Sequence, residues 1–243
     1  MTPLAAAVLL SVAGSLGGML VAAALLLFPD GVRARLLPWL VSYAVGALLA
    51  VSLMALLPEA LELRPPEQVF GTLLGAIFLF FVLERLVLWR HCHTHDCEVH
   101  GSAAPLVLIG DAVHNFIDGA MIGTAVLTSL PLAISTAVAV AAHEIPQEAG
   151  DFAILLHAGY SRTRALTLNV VSGVSAVAGA VLAVLVVDLV PAVRPLLLCV
   201  AAGSFLYIAM ADLIPDLHSG RITGGAFRQL LVVALGIATI LLL

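Results

Sequence analysis

Lysine is absent from the 243-residue sequence, and charged residues of all kinds make up only 10% of it. Soluble globular domains carry about a quarter charged residues, so this composition excludes an ordinary soluble protein. Hydrophobic residues account for 62% of the chain, and the mean hydropathy is +1.16. We therefore predict an integral membrane protein whose partner is the lipid bilayer, with no nucleic acid bound.

Cysteine is also scarce, with three residues in the chain, which excludes a disulfide framework. Cys92 and Cys97 lie among histidines, a setting that favours reduced, metal-binding thiols over a bridge. Cys199 lies in an apolar run and is expected to be a small buried residue.

The N-terminus lacks the basic segment of a signal peptide, and its apolar run is longer than the usual h-region of about 7–15 residues. We interpret it as the first of about eight spans, since a spanning helix needs roughly 20 apolar residues. The predicted spans are 4–28, 38–60, 68–89, 103–127, 132–157, 164–187, 194–217 and 225–243. The breaks between them are short and leave no soluble domain. The prediction is an all-α bundle in which residues 1–243 form one polytopic membrane domain.

The arginines are distributed unevenly between the two sides of this topology. Arg64 and Arg194 fall on one side, and the other eight fall at or near the connections after helices 1, 3, 5 and 7. Positively charged connections face the cytoplasm, so both termini are predicted to lie outside. Because no targeting peptide is recognised, we expect a bacterial inner membrane.

Polar and ionisable residues interrupt the fourth predicted span. They are Asp111, His114, Asn115 and Asp118. In a helix, His114 and Asp118 share a face, and Asp111 lies one turn earlier on the same stripe. Unpaired, each would cost at least a few kcal/mol in a membrane, so a functional site is favoured over a structural role.

The fifth span repeats this pattern. Its polar residues are His143, Glu144, Gln147, Glu148 and Asp151. His143 and Gln147 are four apart, and Glu144 and Glu148 form a neighbouring stripe. Pro146 cannot bond the carbonyl of Ala142, so we expect a bend there. The freed carbonyl of Ala142 could be a further oxygen ligand of a metal ion. Alternatively, the helix only bends there and the carbonyl has no role in coordination.

The charges of the two spans predict a bound cation. Asp118, Glu144 and Glu148 supply negative charge at mid-depth, His114 and His143 supply imidazoles, and neither span contains an arginine. A divalent ion would neutralise the carboxylates. Mixed imidazole and carboxylate ligation suits zinc, iron(II) or manganese better than calcium or copper(I).

A second group of metal-ligating residues lies in the predicted cytoplasmic loop, about residues 90–102. The group is His91, Cys92, His93, His95, Cys97 and His100. The spacing does not match a paired zinc finger, so we expect a weak, exchangeable site. A merely polar loop is the alternative.

Further candidates for the ion path lie outside these two motifs. Asp111 and Asp151 flank the central residues, and Asp212, Asp216 and His218 lie near the end of helix 7. Asp212 is about one turn deeper than Asp216 and is the better candidate. Asp216 and His218 are alternatively interfacial.

The two motifs resemble those of the ZIP family of metal-ion transporters, most closely its LIV-1-like branch. The stretches that carry the resemblance are His-Asn-Phe-Ile-Asp-Gly (114–119) and His-Glu-Ile-Pro-Gln-Glu-Ala-Gly-Asp-Phe-Ala-Ile-Leu-Leu (143–156). Further support comes from Gly-Ser-Phe-Leu-Tyr-Ile-Ala-Met-Ala-Asp-Leu-Ile-Pro (203–215) and from the histidine-rich loop.

The resemblance implies uptake of zinc, and often of iron, manganese or cadmium, toward the cytoplasm by a homodimer. It implies a binuclear site with His114, Asp118, His143 and Gln147 around one metal. Asn115, Asp118 and Glu144 would hold the other, with Gln147 shared. In two places this chain departs from the pattern: Gln147 stands where the branch usually has histidine, and Asp118 where many relatives have glutamate.

Three other functions are alternatives to uptake. An intramembrane zinc metalloprotease needs His-Glu-x-x-His, and Gln147 breaks that motif, so we do not predict an enzyme. A cation-diffusion exporter generally has six spans and a cytoplasmic metal domain, unlike this chain. A metal-binding membrane sensor would bind the ion without flux.

Overall fold

The computed structural model describes residues 1–89, 103–218 and 225–243, and within them the chain is helical with no strand. Eight helical segments follow one another in these ranges, three of them in several consecutive pieces. They are α1 (Pro3–Ser11, Val12–Leu16, Gly17–Leu25), α2 (Asp30–Val51, Ser52–Leu56, Leu57–Leu63), α3 (Pro66–Trp89), α4 (Ala103–Val126), α5 (Leu130–His157), α6 (Arg162–Leu189), α7 (Arg194–Tyr207, Ile208–Leu213, Ile214–His218) and α8 (Ala226–Leu242). The predicted all-α membrane bundle is confirmed.

Hydroxyl side chains begin three of these helices. Thr2, Ser129 and Ser161 each accept a hydrogen bond from the backbone N–H three residues later, at 3.2–3.3 Å. Such N-caps satisfy donors that the first turn leaves open. Gly159, with φ 87°, follows the end of α5 in a conformation that disfavours a side chain. These residues fix the short connections that separate the spans.

The second helix begins earlier than the sequence predicted. It starts at Asp30, about two turns before the expected residue 38. The prediction followed the apolar run, but a helix can continue in polar residues beyond the apolar region. Arg33 and Arg35 therefore lie in the first turns of α2 rather than in a connection, and Pro38 lies inside the helix.

Three helices contain a π-helical segment that the sequence did not predict. The segments are Val12–Leu16 in α1, Ser52–Leu56 in α2 and Ile208–Leu213 in α7. A π turn holds more residues than an α turn and is often found near functional sites. The segment in α1 contains Ser15, which contacts the site described below.

By length and composition, five segments of the described chain are apolar enough to cross a membrane. They are Pro3–Leu25, Gly31–Leu63, Pro66–Arg85, Arg162–Leu189 and Pro191–Leu213. Ala226–Leu242 is a shorter apolar helix. The helices α4 and α5 are not among the five, and they are the two that carry the polar motifs.

Small residues bring α4 and α6 into direct backbone contact. A Cβ on Gly119 would overlap the carbonyl oxygen of Ala176, and one on Gly179 would overlap that of Phe116. Small residues at such crossings let membrane helices approach closely and gain packing energy. The close approach positions the polar face of α4 against α5 and α6.

The remaining helices surround this pair. The second half of α1 and the first part of α2 pack on α5, α8 packs on α2 through Gly46 and Gly236, and α3 packs on α7. Phe205 of α7 is fully buried in the core shared by α2, α4, α5 and α7. The polar motifs of α4 and α5 are thus enclosed by other helices.

We expect Gly119→Ala to destabilise the bundle, because the added methyl would meet the carbonyl of Ala176 and force α4 away from α6. Overpacking of this kind costs about 1–3 kcal/mol. Thermal unfolding in detergent would measure it as a lower midpoint.

The matched control is Gly110→Ala in the same helix, where a Cβ would have nothing within 4 Å. This control should unfold at or slightly above the wild-type temperature, because alanine favours helix over glycine. Equal midpoints for the two variants would contradict the proposed close contact.

Candidate metal centre

Two imidazoles and two carboxylates meet between α4 and α5. One ligand atom from each residue lies within 4.8 Å of every other, and the residues, here termed the four-residue cluster, are His114, Asp118, His143 and Glu144. The distance from His114 Nε2 to His143 Nε2 is 3.1 Å. Asp118 Oδ2 lies 2.9 Å from His143 Nε2 and 3.4 Å from His114 Nε2. His114 and Asp118 are four residues apart and share one face of α4. That face lies against the antiparallel helix α5, which carries His143 and Glu144, so the ligand atoms of all four residues come together.

Burial differs within the four-residue cluster. Asp118 and Glu144 are 0% exposed and His143 is 1% exposed. The side chain of His114 retains 20% exposure. The group therefore has one partly accessible member and three enclosed ones.

His143 is held with one ring nitrogen directed at the four-residue cluster. Its Nδ1 lies 3.0 Å from the carbonyl oxygen of Ala139, which can only accept, so we assign the proton to Nδ1. Nε2 of the neutral ring then carries a lone pair. A second hydrogen bond of this kind is what usually orients a metal-binding histidine. The ring edge of Phe205, with centroids 5.8 Å apart, packs against the same imidazole.

The carboxylates of this cluster lack donors. Both oxygens of Glu144 and of Asp118 have no hydrogen-bond partner among the described residues. With His143 Nε2 as an acceptor, the 2.9 Å contact to Asp118 Oδ2 joins two electron-rich atoms. Buried polar groups normally find partners, and buried charges are paired or coordinate metals. A divalent cation could bind several of these atoms at once, whereas a single proton would pair only two of them.

Helix α1 covers one side of the centre, a role that sequence reasoning missed. A Cβ on Gly18 would lie only 2.9 Å from Cβ of Glu144 and 3.2 Å from the carbonyl oxygen of Ala141. The hydroxyl of Ser15 donates a short hydrogen bond to Oδ1 of Asn115. The pattern of small residues in α1 indicated close packing but not which helix it would contact.

Asn115 lies beside the four-residue cluster with both ends of its amide engaged. Its oxygen accepts from Ser15, and its Nδ2 donates to Oδ1 of Asp111 at 2.9 Å and to the Asp111 carbonyl at 3.2 Å. Asn115 therefore links α1 to the first turns of α4.

The other predicted residues of α5 extend away from the four-residue cluster. Gln147 is partly buried one turn after His143. Glu148 is 1% exposed and accepts a 2.8 Å hydrogen bond from Nδ2 of Asn169 on α6. Asp151, partly buried, interacts electrostatically with Asp111. Nothing in the sequence pattern had singled out Asn169.

The candidates in α7 are not part of this group. Asp212 is exposed and interacts with Tyr207, whose hydroxyl donates a short hydrogen bond to Glu84 of α3. His218 is exposed at the end of α7. The side chain of Asp216 and the loop residues His91, Cys92, His93, His95, Cys97 and His100 lie outside what the structure describes.

Comparison with known proteins gives matches to zinc transporters. The family model described as "ZIP Zinc transporter" matches residues 90–243. Zinc transporter ZIP4 of Mus musculus is 46% identical over 116 residues, which is 48% of this chain and 17% of that protein. Zinc transporter ZIP10 of Danio rerio is 43% identical over 119 residues, 49% of this chain and 14% of that protein. Zinc transporter foi of Drosophila melanogaster is 36% identical over 147 residues, 60% and 21% respectively. The matched stretch is thus a small part of each relative.

We expect Gly18→Ala to weaken metal binding without unfolding the protein. The new methyl would lie 2.9 Å from Cβ of Glu144 and push that side chain out of position. Displacing a supporting group around a metal site typically costs about 10–100-fold in affinity. Zinc titration of the detergent-solubilised protein would measure the loss.

The neighbouring substitution Gly17→Ala is the control, because its nearest contact would be the Val12 carbonyl oxygen at 3.9 Å. It should bind zinc as the wild type does. Identical zinc affinities for the two variants would contradict the role of α1 in covering and positioning Glu144.

Proposed function

Because the chain belongs to the ZIP family of zinc transporters, in its LIV-1 branch, we propose that it carries a divalent transition-metal ion through the four-residue cluster. The observation that carries this proposal is the convergence of two imidazoles and two donor-free carboxylates inside a membrane bundle. Members of this family are transporters and not enzymes. The metalloprotease alternative is therefore set aside.

Zinc is the substrate that we propose first. Two nitrogen and two oxygen donors suit a tetrahedral Zn²⁺, which binds histidine and carboxylate readily. The curated relatives are named zinc transporters, which supports the same choice. Iron(II), manganese or cadmium would be accepted to the extent that the same donors bind them.

Transport requires that the ion also leave the site. A closed four-ligand zinc site is typical of structural metals, whereas an exchangeable site keeps an accessible position. His114, the partly exposed member of the four-residue cluster, supports exchange on its side of the group. The lack of any arginine in α4 or α5 means that no fixed side-chain cation of these helices competes for the carboxylates.

A binuclear arrangement remains part of the proposal. In it, Asn115, Asp118 and Glu144 would hold a second ion, with Gln147 shared between the two. The approach of Asp118 to both imidazoles and the closeness of Glu144 support Asp118 as a ligand that two ions could share. A neutral amide at Gln147 is a weaker ligand than an imidazole, so we expect the shared position to bind less tightly.

The direction of transport, the membrane topology and the type of membrane are proposed from the sequence. The eight-to-two arginine distribution supports cytoplasmic connections after helices 1, 3, 5 and 7 and termini on the outer side. Uptake would then deliver metal toward the loop of about residues 90–102, whose histidines and cysteines would receive it. We propose one membrane domain per chain, a homodimer, and a bacterial inner membrane.

The first test is zinc flux into proteoliposomes that contain a trapped zinc dye. We expect His143→Ala and Asp118→Ala each to lower the initial rate at least about tenfold, because each removes a ligand from the buried centre. Asp188→Ala, an exposed carboxylate at the end of α6, is the control and should transport at the wild-type rate.

The same assay separates the competing functions. Zinc binding without flux in either direction would contradict transport and favour a sensor. Flux that survives both substitutions would place the ion path elsewhere in the bundle.

We further expect Gln147→His to tighten zinc binding by about tenfold, since it replaces an amide with an imidazole at the position where the LIV-1 pattern usually has histidine. Isothermal titration would measure the gain. Gln229→His in α8, a helix that packs mainly on α2, is a matched control and should leave the affinity unchanged. An unchanged affinity in the Gln147 variant would exclude this residue from the coordination sphere.

A further inference from the structure

A second group of buried polar side chains lies between α4, α5 and α6. Asp111 and Glu148 are 4% and 1% exposed, and Asn169 is 2% exposed. We term these three residues the oxygen cluster. The binuclear pattern described above assigns none of them to a metal.

Each member of the oxygen cluster presents an oxygen without a partner. Oδ2 of Asp111, Oε1 of Glu148 and Oδ1 of Asn169 are buried and find no hydrogen-bond donor in the described part of the chain. Leaving such an oxygen buried and unpaired is unfavourable, and more so for a charged group. These oxygens belong to neighbouring helices, and Glu148 of α5 and Asn169 of α6 are joined directly by a hydrogen bond.

The other oxygens of the two carboxylates are held by amides. Asn115 Nδ2 donates to Oδ1 of Asp111 at 2.9 Å, and Asn169 Nδ2 donates to Oε2 of Glu148 at 2.8 Å. Each carboxylate is thus fixed through one oxygen and leaves the second available. Ligand carboxylates in metal sites are commonly held in this way by neighbouring hydrogen bonds.

The two carboxylates act on one another. Glu148 interacts electrostatically with Asp111 and also with Asp151, one turn further along α5. Their negative charges repel in a medium that screens poorly. Neither α4 nor α5 contains an arginine, Arg162 and Arg164 lie at the exposed start of α6, and Arg33 of α2 lines a cleft beside Ala149 and Ala153 of α5. A divalent cation would neutralise the charges of Asp111 and Glu148 and would be coordinated by the unpaired oxygens.

The oxygen cluster is displaced from the four-residue cluster in one direction. Asp111 precedes Asp118 by seven residues on α4, or about 10 Å at 1.5 Å per residue. Glu148 follows Glu144 by four residues on α5, or about 6 Å. Because α4 and α5 follow one another through a short connection and run antiparallel, both displacements point toward the start of α4.

We propose that the oxygen cluster is a second cation site, made of oxygen ligands only, with Asp111 and Glu148 as charged ligands and Asn169 as a carbonyl ligand. Oxygen ligation favours harder ions such as Mn²⁺ and Mg²⁺, unlike the mixed nitrogen and oxygen donors of the four-residue cluster. The site stands on its own geometry, and its place as the next position of a transported ion rests on the proposed function.

Mn²⁺ binding to the purified full-length chain, followed by pulsed electron paramagnetic resonance, tests this site. An ion at the four-residue cluster would couple to imidazole ¹⁴N, whereas an ion at the oxygen cluster would not. We expect wild type to show both populations. Asp111→Asn and Glu148→Gln should each raise the Kd of the nitrogen-free population at least about tenfold while the nitrogen-coupled one remains.

The exposed Asp188→Asn is the control for the loss of one carboxylate and should retain both populations. A wild type without the nitrogen-free ion, or a nitrogen-free ion that persists unchanged in Asp111→Asn and Glu148→Gln, overturns the proposal. The wild-type spectrum decides the question even where a variant does not fold.

Zinc flux measured on the same preparations separates this site from the proposed function. A wild type that transports zinc but lacks the nitrogen-free ion would overturn the oxygen cluster alone. A wild type that holds the nitrogen-free ion, loses it in the two variants and shows no flux would support the oxygen cluster and contradict transport.

Discussion

The 2.9 Å approach of His143 Nε2 to Asp118 Oδ2 is the contact on which the rest of the bundle depends. This contact joins α4 to α5 through two groups that attract one another only when a proton or a cation lies between them. Both groups are buried, so hydrogen bonds to bulk water do not take its place. The helices around the pair enclose these groups on several sides: α1 covers Glu144 and α7 places Phe205 against His143. Enclosing these carboxylates in their charged form without a cation would be unfavourable, so the architecture itself favours a bound positive charge at this point.

Close packing by glycine makes this enclosure possible. The contacts of Gly119 and Gly179 across α4 and α6 remove the side-chain layer that normally separates two helices. With α4 held so near to α6, Asn169 of α6 approaches Glu148 of α5 closely enough to donate to its carboxylate. The polar residues of the two clusters therefore lie on three neighbouring helices, α4, α5 and α6.

Much of this architecture could be predicted from the sequence, because the controlling patterns are local. Apolar runs of spanning length gave eight segments, and spacing four along a helix placed His114 and Asp118 on one face. The early start of α2 could not be read from hydropathy, since its first turns are polar. The contacts of Ser15, Asn169 and Phe205 depend on which helices become neighbours, and local periodicity and spacing along the chain do not reveal that arrangement.

The π-helical segment Val12–Leu16 has a consequence for how α1 is drawn. In an α-helix each residue advances about 100° around the axis, so one circular projection describes the whole length. A π turn accommodates an extra residue, and the projection after it is rotated relative to the projection before it. Two wheels, one for each side of Val12–Leu16, are needed to assign the lipid-facing and inward-facing residues of this helix.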